Sequence, residues 1–141
     1  VRIAYKEAAH DKNKVDYFYN ALQNVTKTDN ITLVAYKGAS ISIKARYAKT
    51  IKGKKEGFFE GVSYIEYAIE KEPNAIEPRF VRLGIQENSP KILKYKNHIA
   101  EYKNFLLAQY KNVSSLDFKK HVKAYILQSK LFSEEEKNAL K

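Results

Sequence analysis

The sequence predicts one all-α domain, residues 1–141, built of seven to eight helices in stacked antiparallel hairpins. Three observations lead there. Apolar residues recur at three- and four-residue spacing along most of the chain. Gly (5) and Pro (3) are scarce, while Ala, Leu, Ile, Lys and Glu abound, which favours helices over a many-stranded sheet. Residues 61–84 read Gly61-x3-Ile65-x2-Ala68-x4-Pro73 and then Phe80-x2-Leu83-Gly84, with small residues where two helices must touch and large ones where they interlock.

The elements follow in order. Arg2 to His10 forms a short helix, and Asp11 or Asn13 starts the next. Val15 to Val25 is a second helix, with Val15, Phe18, Leu22 and Val25 on one face. Thr28, Asp29 and Asn30 supply a turn and an N-cap. Ile41-Ser42-Ile43-Lys44-Ala45 alternates like a strand, yet Val34, Gly38, Ile41, Ala45 and Ala48 keep a four-three rhythm too long for one. Residues 31–48 are therefore read as helix, with Gly38 and Ala45 admitting a close neighbour.

Lys52-Gly53-Lys54-Lys55 interrupts the pattern, and a fourth helix is expected from about Lys55 to Lys71. Phe58, Gly61, Val62, Ile65, Ala68 and Ile69 form its buried stripe. The fifth is expected to open at Pro78, beside a favourably placed Glu77, and to stop near Asn88-Ser89-Pro90. Ile92 to Tyr110 offers Tyr95, Ile99, Tyr102, Leu106 and Tyr110 at helical spacing. Ser114-x-x-Asp117 and Ser133-x-x-Glu136 fit capping boxes for two last helices.

Composition narrows the function classes. Without cysteine there is no disulfide, thiolate nucleophile or cysteine-ligated metal centre. The apolar runs fall short of the ~20 residues a membrane helix needs. No GxSxG motif or glycine-rich phosphate loop occurs, and neither cofactor nor metal is expected. The net charge of +10 invites a polyanion, a nucleic acid or an anionic membrane surface. Basic and acidic groups number 12 and 8 in residues 1–70 and 14 and 8 in residues 71–141, so neither half is the basic one. Lysines outnumber arginines 22 to 4, whereas base and phosphate recognition favours the arginine fork. A solvated lysine surface is the simpler reading.

Gly61, Ile65, Ala68 and Pro73 resemble the second-helix half of a tetratricopeptide repeat, and Phe80, Leu83 and Gly84 resemble the opening of the next. Glu87 stands where that repeat usually has an aromatic, and no period of 34 spans the chain. A second resemblance rests on Tyr36-Lys37-Gly38-Ala39, on Glu77-x-Arg79-Phe80-x-Arg82-Leu83-x-Ile85-Gln86-x-Asn88-x-Pro90 and on Leu93-x-Tyr95. These segments look like a family of small, exported, uncharacterised bacterial proteins. That resemblance implies a removed signal peptide and a periplasmic or secreted location, and no activity.

Among polar constellations, Arg79, Arg82 and Gln86 lie within about 60° on one helix face, with Asn88 and Tyr95 close by in sequence. Paired guanidinium groups could clamp a partner's carboxylate, or they could pair internally with Glu77 or Glu87. Lys44, Arg46, Lys49, Lys52, Lys54 and Lys55 put six basic residues into twelve positions, as a phosphate-tracking patch or as a solvated helix end. His98 and Glu101 could offer two metal ligands but lack a third at a recognisable spacing. Most tyrosines are expected in the core or lining a groove. The expected function is a non-catalytic interaction module of the bacterial envelope that receives a peptide or protein in a helical groove. Polyanion binding through the lysines is the alternative.

Overall fold

Asn30 opens the central hairpin by accepting a hydrogen bond from the Thr32 N–H at 2.9 Å, a side-chain cap for donors the helix cannot satisfy itself. The computed structural model describes residues 1–140, and helix α3 (Ile31–Ala45) follows that cap. The alternation at residues 41–45 is thus helical, with Ser42, Ile43 and Ala45 buried. Thr50 then starts α4 (Ile51–Lys71), its Oγ1 accepting from the Gly53 N–H at 2.9 Å. The helix therefore runs through residues 52–55, where the sequence suggested a break. A good cap contributes about 1 kcal/mol, comparable to the cost of a glycine in a helix interior.

α3 and α4 are antiparallel and touch backbone to backbone. Ser42 Oγ donates to the Phe58 carbonyl at 2.9 Å. A Cβ on Gly61 would stand 2.6 Å from the Ser42 nitrogen, and one on Gly38 would stand 2.8 Å from Ile65 Cγ1. All six residues of the expected α4 stripe are buried.

The remaining helices wrap this pair. α1 (Arg2–His10) and α2 (Val15–Ala21) precede it. α2 stops before Val25, and Lys37 Nζ holds the released carbonyls of Gln23 and Val25 at 3.1 and 2.5 Å. α5 (Ile76–Asn88) begins two residues before Pro78. Proline is tolerated there because the first-turn N–H groups have no intrahelical partner.

Residues 91–98 depart from the helix that the spacing from Ile92 suggested. Lys91–Leu93 makes a single 3-10 turn after Pro90, Lys94 and His98 adopt left-handed backbone angles, and α6 (Ile99–Gln109) starts only then. α7 (Leu116–Gln128) is capped by Ser115 rather than Ser114. α8 (Glu134–Asn138) carries the expected capping box between Ser133 and Glu136. No strand occurs among the described residues. One apolar core collects side chains from α1 to α7 and Phe132.

Three glutamates clasp the outer helices to this frame, and each accepts from a tyrosine hydroxyl. Glu77 takes Tyr36 at 2.5 Å, Glu66 takes Tyr95 at 2.8 Å, and Glu87 takes Tyr125 at 2.7 Å. Glu77 also takes the Arg2 fork at 2.8 and 2.9 Å. Glu87 adds Ser129 Oγ at 2.8 Å and the Lys130 N–H at 3.0 Å.

Burial and the facing carboxylates push all three phenols well above the ordinary tyrosine range. A group with a raised folded pKa contributes stability that is intact below its unfolded value, near 10, and is lost as pH rises toward the folded one. Unfolding stability should therefore fall as pH climbs past about 10. Tyr36, Tyr95 and Tyr125 should ionise only together with loss of helical circular dichroism; free titration of all eleven tyrosines in the folded protein would refute this.

Candidate binding groove

The polar residues expected on one face of α5 divide. Arg82 is only 5% exposed and lies beneath α6. Its guanidinium meets the Glu66 carboxylate at 3.1 Å and stacks 3.6 Å from the Tyr102 ring centroid. Tyr95 reaches the same Glu66, and Gln86 Nε2 donates to the Asn97 carbonyl at 3.1 Å. Arg82, Gln86 and Tyr95 are thus brought together, but inside a joint of α4, α5 and α6 instead of on an open groove.

The pairing carboxylate is Glu66 of α4, not Glu77 or Glu87. Arg82 Nε and Nη2 and Gln86 Oε1 are buried without a hydrogen-bond partner, and the Tyr102 ring face offsets part of that cost. Arg79 sits at the joint's rim. Its Nε donates to the Pro73 carbonyl at 2.8 Å and its Cζ lies 4.6 Å from the Phe105 centroid. Burial and the neighbouring Arg82 charge lower its pKa. Asn88 is exposed and turns back to the Gly84 carbonyl.

The open groove lies on the other side of α4. α3 provides its floor with Lys37, Ile41 and Lys44, which recur at i, i+4 and i+7. α2 provides one wall through Asp16 and Tyr19, and α4 the other through Gly57, Glu60 and Tyr64. Two concavities of about 520 and 130 Å³ share Tyr19, Ile41 and Glu60 as a common border.

Lysines stand over the tyrosine rings throughout. Lys44 Nζ lies 4.1 Å from the Tyr19 centroid, and Lys12 Nζ 5.2 Å from that of Tyr47. Lys37 and Lys27 flank Tyr64 at 5.5 and 5.3 Å. Lys27 and Lys71 flank Tyr67 at 5.1 and 5.5 Å. Such contacts hold a flexible ammonium group in place.

The expected basic patch splits around this groove. Lys44 lines it and pairs with Asp16 at 3.6 Å. Arg46 is half-buried at the end of α3, and Lys49, Lys54 and Lys55 project into solvent. Lys52 is exposed and leans toward Glu56 at 3.8 Å. The sequence reading missed Lys12, Lys27, Lys37 and Lys71. Only the Lys37–Ile41–Lys44 row was available to suggest them.

His98 and Glu101 are an exposed pair 3.6 Å apart. His10 and His121 instead line a slot of about 50 Å³ between α1, α5 and α7, beside Tyr5 and Gly84. Burial lowers the His121 pKa. Among the described residues no three His, Asp or Glu side chains gather as a metal set, and no helix is long and apolar enough to cross a membrane. Comparison with protein-family models, curated proteins and solved structures finds no match to this chain.

Proposed function

We propose that the protein is a non-catalytic interaction module that receives an extended peptide or protein segment in the groove between α2 and α4. The carrying observation is the pair of adjoining concavities floored by α3; their tyrosines and aliphatic Ile41 offer apolar contact while their lysines supply charge. Its setting is the bacterial envelope, on the resemblance of residues 36–39, 77–90 and 93–95. The arginine pair serves this role indirectly, by fixing α6 against α4 and α5.

A display selection from a random seven-residue peptide library tests the reading. The wild-type chain and an Ile41→Trp variant, which fills the floor, are the two baits. Enriched peptides should bind the wild type in solution and bind Ile41→Trp at least tenfold more weakly at an unchanged Tm. A library that yields no enriched sequence, or peptides indifferent to the tryptophan, removes the groove from consideration.

The lysines favour polyanion binding as the second reading. It demands a steep fall of oligonucleotide affinity with salt, readable by fluorescence anisotropy, and a shallow slope excludes it.

A further inference from the structure

The groove's charge layout identifies the chemistry of its occupant. We propose that it takes an acidic peptide segment of roughly six extended residues, with carboxylates at both ends and none in the middle; the inference rests on the peptide-groove reading above.

At one end, just past the smaller concavity, Lys27 and Lys71 stand over Tyr64 and Tyr67, next to Lys37, whose ammonium also holds the Gln23 and Val25 carbonyls. Among the described residues none of these ammonium groups meets a carboxylate, since the lysine ion pairs are those of Lys14, Lys44, Lys52 and Lys103. At the other end stand Lys12, likewise without a carboxylate, and Lys44. Asp16 offsets Lys44 at that end, which leaves Lys12 as its unpaired charge. Between the ends the sign reverses at Glu60, which borders both concavities. An acidic residue there would face like charge, so the complement is acidic, then neutral or basic, then acidic.

Length follows from α4. From Gly57, which lines the larger concavity, to Lys71, which stands over Tyr67 beyond the smaller one, α4 covers 14 residue steps, about 21 Å at 1.5 Å each. At ~3.3 Å per extended residue that span accommodates about six residues.

The same features disfavour a nucleic acid. A base stacks on a ring face, and here it would compete with the ammonium groups that stand over Tyr19, Tyr47, Tyr64 and Tyr67. A phosphate backbone repeats its charge at every nucleotide and would have to pass Glu60. Carboxylates on a peptide can be spaced to avoid it.

Fluorescence anisotropy at low salt tests the proposal with three probes. The first is a labelled hexapeptide with two carboxylates at each end and alanine and lysine in the middle. The second is its amide analogue, with Asn and Gln in place of Asp and Glu. The third is a six-nucleotide oligothymidylate. The acidic peptide should bind at least tenfold more tightly than either.

The Lys27→Glu/Lys71→Glu variant changes two exposed side chains and should keep the wild-type Tm. It should lose about tenfold for the acidic peptide and regain that loss with a peptide whose corresponding end carries lysines. Equal binding of the acidic and amide peptides overturns the charge assignment, while a successful display selection would still support the groove. Tighter binding of the oligonucleotide replaces the peptide with a polyanion. If neither peptide binds, the acidic occupant is rejected, and the selection with Ile41→Trp decides separately whether the groove reading falls with it.

Discussion

Gly61→Val should leave a chain that does not reach a cooperative folded state, and Gly61→Ala should cost on the order of 3 kcal/mol or more in chemical denaturation. A Cβ at this position meets Ser42 and Gly38 on the facing helix, with the Ser42 backbone nitrogen at 2.6 Å. The obstructing atoms are largely backbone, so no rotamer change relieves the overlap. The helices must separate, and that opens space around Ile43 and Ile65, both fully buried. Overpacking costs typically 1–3 kcal/mol and more where backbones must move, against a total stability of about 5–15 kcal/mol.

Gly38→Ala should behave alike, since its Cβ would meet the Gly61 carbonyl oxygen and stand 3.0 Å from the Ile65 nitrogen. The double Gly38→Ala/Gly61→Ala variant should cost less than the sum, because one separation accommodates both methyl groups. Full additivity, or a Gly61→Ala protein as stable as wild type, would contradict the backbone contact.

Glu77→Ala should destabilise by about 3–4 kcal/mol. Its carboxylate joins Tyr36 of α3 to Arg2 of α1, and Arg2 passes on to Asp117 of α7 at 2.8 Å. Deleting it strands the hydroxyl of Tyr36, a residue 1% exposed, and takes the bidentate partner from Arg2. Removing a buried carboxylate is costly because Tyr36 stays desolvated without a partner, while the half-buried Arg2 keeps only Asp117.

Glu77→Gln should cost about half as much, since the amide oxygen still accepts from Tyr36 while Arg2 keeps only the exposed Asp117 as its counter-charge. Combining Glu77→Leu with Tyr36→Phe should recover part of the loss, because apolar groups then replace both partners. Urea titrations of the four proteins check this. A Glu77→Ala variant within 1 kcal/mol of wild type would mean that the clasp contributes little.

The α4 stripe was legible because its burial repeats at helical spacing, so local order alone locates Phe58 through Ile69. The segment after Pro90 was not. Tyr95 falls on the helical rhythm of Tyr102 and Leu106, but its hydroxyl is drawn to Glu66, 29 residues earlier in the chain. Arg82 failed for a related reason. An arginine on a helix face reads the same whether it meets solvent or a buried carboxylate, and only the packing of α4 on α5 decides. The groove was harder still, since Lys12, Lys27, Lys37 and Lys71 come from a 3-10 turn, a loop and two different helices. Their charges were visible in the sequence; their convergence was not.

The glycine contact between α3 and α4 also bears on how any ligand would be held. With no side-chain layer between them at Gly38 and Gly61, those helices have little to repack. The floor and the α4 wall therefore move as one plank, preorganised before a ligand arrives. Under the proposed reading, adaptation would fall to α2, a helix of only seven residues, and the entropic cost of ordering would be confined to that short element. Backbone amide shifts on ligand binding should accordingly concentrate in residues 15–21, with α4 reporting only the side chains it offers.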